Sequence, residues 1–256
     1  MKEAIKKYLD ETMVFVEGGD FMMGSEKSIH KVELSSFEIN KYPVTQELYE
    51  WVMEKNPSYF KGKERPVEQV DWYDAIEFCN ALSELMGIEK SYYSIDKEKQ
   101  DLNNKRESDP KKWLVEINEG SKGYRLLTEA EWEYAVRGGQ KGKNDKFEYA
   151  GDKDLNKVGW YDKNSHEESK EVGLKAPNQL GLYDMSGNVR EWCWDWYGGY
   201  KEETEKNPRG AESGKWRVVR GGSWSSYAYG SRVALRDLID PVDRIYFIGF
   251  RISRAV

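Results

Sequence analysis

Residues 220–256 read RGGSWSSYAYGSRVALRDLIDPVDRIYFIGFRISRAV. The stretch opens on a Gly221-Gly222 pair, which predicts a tight turn, and closes on an alternating segment from Tyr246 to Arg254, which predicts a strand. From Ser225 to Val256 there is no Lys, Glu, Gln, Met or Trp. Those five types make up roughly a third of everything upstream, so the composition changes sharply at this point. The tail reads as a working surface, with the preceding chain as its scaffold.

The whole chain of 256 residues is long enough for a substantial core, and no Pro/Gly/Ser-rich linker divides it, so a single domain over 1–256 is expected. A net charge of −6 and a pI near 5.3 argue against a nucleic-acid partner, which needs a basic face. Charged residues reach 34% and mean hydropathy is −0.87, but ten Trp, seventeen Tyr and eight Phe supply large apolar areas to bury. Cys79 and Cys193 are too few for a disulfide framework or a Cys-based metal site. No apolar run is long enough to span a bilayer, and MKEAIKKYLDETMVFV lacks the apolar stretch of a signal peptide. From the chain alone the expectation is cytoplasmic.

Upstream elements follow from period and caps. Residues 13–24 predict a hairpin turning at Gly18-Gly19-Asp20, and 30–44 a strand with Val32, Leu34, Phe37 and Ile39 inward. Thr45 caps a helix carrying Leu48, Tyr49, Val52 and Met53 on one face, ended by Asn56-Pro57. A second helix opens at Asp71 and stops at Gly87. Residues 89–120 are charged and without period, a surface excursion with room for a short hairpin at Trp113–Ile117. Thr128 and Glu131 form a capping box for a third helix. Trp192, Trp194 and Trp196 alternate, which predicts a strand with a buried indole face. His30 and His166 lie in polar surroundings and are expected to be exposed.

Seven blocks occur in one order: MVFVEGGDFMMGS, YPVTQELYEWV, RPVEQVDWYDAIEFCNALS, YRLLTEAEWEYAVRGG, NQLGLYDMSGNVREWCWDWY, RVVRGGSW and IGFRISR. Together they resemble the formylglycine-generating-enzyme (sulfatase-modifying factor) domain over nearly the whole chain. The resemblance implies an α+β, C-type-lectin-type fold with much irregular structure, a mixed central sheet and chain ends close together. In the generating enzymes two cysteines after the GGS(W/Y) motif hold copper and oxidise a substrate cysteine. Those positions fall on Ser226 and Ser231 here, and a hydroxyl is neither a soft Cu(I) ligand nor a redox group. The iron-dependent sulfoxide synthases of the same fold need three His, and the chain has two. No enzyme is therefore expected; a generating-type oxidase acting on sulfatase-like peptides is the disfavoured alternative.

The tail also resembles the variable region of diversity-generating-retroelement proteins, the treponemal variable lipoproteins in particular. In those systems AAY codons are rewritten at their adenines, and no such change yields Lys, Glu, Gln, Met or Trp, the five types missing here. The resemblance implies that the changeable, ligand-binding positions within 225–247 are Ser225, Ser226, Tyr227, Tyr229, Gly230, Leu235, Asp237, Leu238, Ile239, Asp240, Asp243, Ile245, Tyr246 and Phe247. Arg232, Val233, Ala234, Arg236, Arg244, Gly249, Phe250 and Arg251 are the fixed framework between them. Tyrosine with Ser and Gly is a binding-surface mixture, and Leu238, Ile239, Ile245, Tyr246 and Phe247 in a polar loop predict an exposed apolar patch. The implied partner is a protein or other surface ligand, met by a monomer at the cell surface or outside the cell. The family also places a structural calcium ion on oxygens of Asp184, Gly187, Val189 and Glu191; a bare turn with the two carboxylates bonded to backbone stands beside that reading.

Overall fold

Helix α1 (Lys2–Thr12), which no sequence pattern above anticipates, buries Ile5, Leu9 and Thr12 along one side and leaves its Lys and Glu residues in solvent. It is followed by strands β1 (Met13–Val16), β2 (Gly19–Met23), β3 (His30–Leu34) and β4 (Phe37–Asn40), then helices α2 (Gln46–Met53) and α3 (Trp72–Met86). Strands β5 (Ser94–Gln100), β6 (Trp113–Glu116) and β7 (Arg125–Leu126) lead to α4 (Glu129–Val136) and the single turn α5 (Leu155–Val158). The last strands are β8 (Arg190–Trp196), β9 (Glu205–Lys206), β10 (Arg217–Arg220), β11 (Asp237–Ile239), β12 (Ile248–Phe250) and β13 (Ile252–Ala255), with a 3₁₀ turn at Ala228–Ser231. The computed structural model describes residues 1–25, 28–92, 94–118 and 120–256.

The expected hairpin over 13–24 does not form. β1 pairs antiparallel with β4 and β2 with β3, so the two segments enter different sheets. The glycines allow a crossing rather than a reversal: a Cβ on Gly18 would lie 2.5 Å from the Leu34 carbonyl oxygen, beneath the corner where β3 passes into β4. The expected single strand over 30–44 breaks at the same corner, although Val32, Leu34, Phe37 and Ile39 all face inward.

The helix caps follow the sequence. Thr45 Oγ1 accepts the Leu48 amide, and capping boxes close at Asp71/Asp74 and Thr128/Glu131. Gly87, at φ 74°, ends α3 in the left-handed region. The excursion 89–120 carries the β5–β6 hairpin and docks through Tyr73 Oη to Asp109, 2.8 Å, and through Lys111 to Asp71, 2.6 Å.

Among the described residues four sheets form, in the orders β1-β4-β13-β7, β11-β10-β8-β12, β2-β3-β9 and β5-β6. The second is mixed, with β12 parallel to β8, and it separates two cores. On one side Trp192, Val219, Ile248 and Phe250 pack with Tyr49, Trp72 and Phe78 of α2 and α3. On the other Cys193 and Val218 pack with Trp132, Ala135 and Val136 of α4 and with Val32, Phe37 and Ile39. This is the period of two made visible: neighbours on one strand serve opposite layers. The expected strand 246–254 is two strands in two sheets, hinged at Arg251, and β1 and β13 flank β4 from either side.

Two buried arginines show different ways of carrying charge inside. Arg251 is fully buried and meets Glu191 at 2.7 Å, with further donors to the carbonyls of Asn40, Lys41 and Tyr183. Arg217 lies 3.7 Å from the Trp72 ring centre and 3.4 Å from that of Trp196, donates to the Trp194 carbonyl, and has no carboxylate in ion-pair contact among the described residues. Burial pulls its pKa down to about 9. Removing a guanidinium that neutralises no buried acid is far less costly than stranding a carboxylate. Arg217→Met is expected to stay within about 1 kcal/mol of the wild type in urea melts, whereas Arg251→Met strands Glu191 and loses roughly 3–5 kcal/mol. Equal losses in the two variants would contradict this account.

Glu68 is fully buried; its Oε1 accepts the Phe60 amide at 2.8 Å, its Oε2 has no partner, and burial raises its carboxyl to about 7. A folded pKa above the ordinary value favours the protonated form. Its stabilising share is therefore complete below pH ~4.5 and lost as pH rises through 7. Glu68→Gln is expected to gain on the wild type in thermal melts between pH 5 and 8, by roughly 3 kcal/mol at the upper end. A difference that does not change with pH would refute the assignment.

Candidate ligand-binding surface

The surface starts from a fixed rail. Arg220, at the end of β10, is buried between Glu129, 3.3 Å, and Glu133, both on α4, and donates to the Val233 carbonyl at 3.0 Å. Arg236 reaches the same Glu129 at 2.6 Å and lies over the Tyr200 ring. Arg244 pairs with Asp71 and Asp74 in the cap of α3. After Arg220 the chain must turn hard. Gly222 sits at φ 69°, and a Cβ there would fall 2.5 Å from Ser231 Oγ. Gly249 is confined likewise, 2.3 Å from the Val67 carbonyl oxygen. Of the expected framework residues, Arg236, Arg244 and Arg251 are thus ion-paired and Gly249 is sterically confined.

The changeable candidates divide by exposure. Ser225, Tyr227, Tyr229, Asp243 and Tyr246 project to solvent, with Tyr227 at 79%, Tyr229 at 62% and Tyr246 at 42%. Gly230, Leu235, Asp237, Leu238, Ile239, Ile245 and Phe247 are half-buried, and Ser226 and Asp240 are buried. The exposed apolar patch expected from 238–247 therefore shrinks to Tyr246. Ile239, Ile245 and Phe247 pack onto the α2–α3 core, and Asp237–Ile239 pair with β10 as an edge strand. Ile248 and Ile252 are core. Asp237 pairs with Arg190 at 3.0 Å, and Asp240 accepts from Arg106 of the excursion.

Beside Ser225 and Tyr246 lies an open groove of about 680 Å³ that no motif marks as a unit. Its walls bring together Tyr59 and Phe60 from the loop after α2, Asp162, Ser165 and Glu167 from the loop after α5, and Trp224. The rings contact one another: Trp224 and Tyr246 stack at 5.6 Å, Phe60 meets Trp224 edge-on at 5.4 Å, and Tyr59 lies 6.0 Å from Tyr246. Trp224 Nε1 donates to the Tyr246 carbonyl and Ser165 Oγ to the Trp224 carbonyl, so the wall is fixed from behind. The adjacent aromatics Tyr59-Phe60, shortly after Asn56-Pro57, are the available sequence signal for the far wall; the helix itself ends earlier than that pair predicts, at Met53, with Glu54 in the left-handed region.

At Ser226 and Ser231 the resemblance to the generating enzymes implies thiols in an oxidase. Ser226 Oγ accepts the Ser223 amide at 2.9 Å, while Ser231 Oγ is buried without a partner. The cysteines themselves are buried in different cores, Cys79 on α3 and Cys193 on β8, and burial pushes both thiols up, away from the reactive thiolate.

The expected calcium loop has its carboxylates engaged. Glu191 accepts from Arg251 with both oxygens and from Trp132 Nε1 at 2.8 Å. Asp184 accepts from the Gly173 amide and from Asn188 Nδ2, and burial raises its carboxyl to about 6. A cation at Glu191 would have to share it with a buried guanidinium, so these side chains do not fit calcium as they stand, whatever the Gly187 and Val189 carbonyls offer. Among the described residues no three His, Cys, Asp or Glu converge as a metal site. His166 is exposed as expected, but His30 is not: it is 3% exposed, packs against Tyr200 at 4.4 Å, and lies 4.0 Å from Glu205. The parallel β3–β9 pairing covers it, a long-range contact that its polar sequence neighbours do not reveal. Among the described residues no helix is long and apolar enough to cross a membrane.

Residues 2–256 match the family described as the sulfatase-modifying factor enzyme 1-like domain. The solved structure of Treponema denticola variable protein 1 superposes with a TM-score of 0.84 at 33% identity, covering 95% of each chain. The "Chaperone protein LppX" of Paenibacillus barcinonensis is 48% identical over 236 residues, 85% of this chain and 80% of that protein. The formylglycine-generating enzyme of Streptomyces coelicolor is 38% identical over 148 residues, and the match spans 50% of this chain and 46% of the enzyme. The chain belongs to the sulfatase-modifying factor enzyme 1-like domain family and has its α+β fold.

Proposed function

We propose that this protein is a non-catalytic ligand-binding protein whose 225–247 segment is a diversified binding surface. One observation carries the reading. Ser225, Tyr227, Tyr229, Asp243 and Tyr246 face solvent from a backbone pinned at Arg220, Arg236, Arg244 and Arg251 by ion pairs to acids elsewhere in the chain. Side chains can change there without disturbing the pins. The likeness to a variable protein supports it, as does the absence of Lys, Glu, Gln, Met and Trp after Trp224. Serine at 226 and 231 argues against thiol oxidation. The relative named a chaperone favours a protein as the ligand. The same proposal places the protein at the cell surface, acting as a monomer.

The test is a library randomised at the five exposed positions. Folded variants are expected to keep melting temperatures within about 5 °C of the parent, since surface substitutions cost little, and selection on an immobilised soluble protein such as lysozyme should yield binders. Frequent loss of folding, or no binder from a large library, would contradict a display surface. The coding DNA is expected to have a near-repeat of its last hundred-odd bases, differing at adenines, beside a reverse transcriptase gene. Copper-dependent oxidation of a CxPxR-type peptide by the protein would overturn the non-catalytic reading.

A further inference from the structure

The groove beside Tyr246 has a definite chemical bias. Four aromatic rings form its wall, from Tyr59, Phe60, Trp224 and Tyr246, and two acids stand with them, Asp162 and Glu167. Among its described lining residues there is no Lys, Arg or His. The Oδ1 atom of Asp162 is buried and accepts no hydrogen bond, although the residue's own amide is fixed to the Ser226 carbonyl at 3.1 Å. Glu167 is exposed and has a left-handed backbone, φ 61°.

Each feature selects for the same guest. Aromatic faces attract cations through the ring quadrupole, most strongly at tryptophan. Two lining carboxylates, with no base among the described lining residues, favour a positive guest, and a charged N–H donor satisfies a carboxylate better than a neutral one. A quaternary ammonium has the charge but no donor, and a sugar hydroxyl has the donor but no charge. The two serines add no competing donor set, since Ser165 Oγ already donates to the Trp224 carbonyl and Ser225 Oγ lies 3.1 Å from Ser223 Oγ.

We infer that the groove is the anchor subsite of the proposed binding surface and takes a lysine or arginine side chain from an extended segment of a protein partner. The inference rests on the ligand-binding reading and names its ligand class. The cation sits against Trp224 and Tyr246 with an N–H directed to Asp162, while Glu167 and the protein's net charge of −6 draw basic segments towards it. The changeable residues Ser225 and Tyr246 form part of this wall, so diversification tunes the surroundings of an anchor whose acids and remaining rings lie outside the variable segment.

The Trp224 indole N–H, bonded to the Tyr246 carbonyl at 3.2 Å, is a built-in reporter. Its resonance is identified among the ten tryptophans by Trp224→Phe, then followed by NMR during titration with acetylated, amidated pentapeptides Gly-Gly-X-Gly-Gly, where X is Lys, Arg, Leu or Glu. The Lys and Arg peptides are expected to shift it and the Leu and Glu peptides to leave it in place. Asp162→Asn combined with Glu167→Gln should weaken the basic peptides roughly tenfold and flatten their salt dependence. Unmoved resonances of the other indoles report that the double variant is folded. An equal shift with the Leu peptide, or undiminished Lys binding by the double variant, overturns the cationic subsite and leaves the display reading intact. No shift with any of the four peptides also overturns it, and the five-position library then decides the display reading independently.

Discussion

The guanidinium of Arg251 holds the place where the chain leaves one sheet and enters another. Its donors reach Glu191 on β8, the Asn40 and Lys41 carbonyls at the end of β4, and the Tyr183 carbonyl. Trp132 of α4 donates to the same Glu191. One buried ion pair therefore ties together both four-stranded sheets, a helix and the 183–191 segment. Such a pair contributes less net stability than its Coulomb attraction suggests, because both ions lose hydration. Its value here is geometric: alternatives that separate β12 from β13 differently leave a buried carboxylate unpaired.

The same device recurs through the tail at Arg220, Arg236 and Arg244, each fastened to acids on α3, its cap or α4. The segments left between these pins are short. The ion pairs fix where each segment begins and ends, while Ile239, Ile245 and Phe247 hold the middle against the α2–α3 core.

What the sequence showed plainly was local. Caps at Thr45, Asp71 and Thr128 depend on residues three apart, and the indole face of β8 on a period of two, so both are visible without a partner. Strand partners are not: β1 and β2 carry a hairpin's pattern, yet pair with strands that lie further along the chain. Helix α1 has only two buried aliphatics, Ile5 and Leu9, in a charged segment, and it is docking that reveals them as a face. At the site, composition singled out the tail but could not sort Tyr246 from Phe247, because neighbours in an irregular loop differ in exposure through packing alone. The groove's far wall comes from residues more than a hundred and fifty positions earlier in the chain, which no reading of the tail contains.

β13 lies inside its sheet, between β4 and β7, and pairs with residues 37–39. During synthesis the sheet that begins with β1 therefore waits for residue 255 before it can close. Contacts of such sequence separation form slowly, since a long loop must be ordered first. Residues 225–247 emerge just ahead of β12 and the closing strand β13. That loop segment is made before the fold is complete and must allow the final strand to dock. A sequence change there that blocks closure gives no folded product, so the segment answers to the assembly of the sheet as well as to the surface it forms.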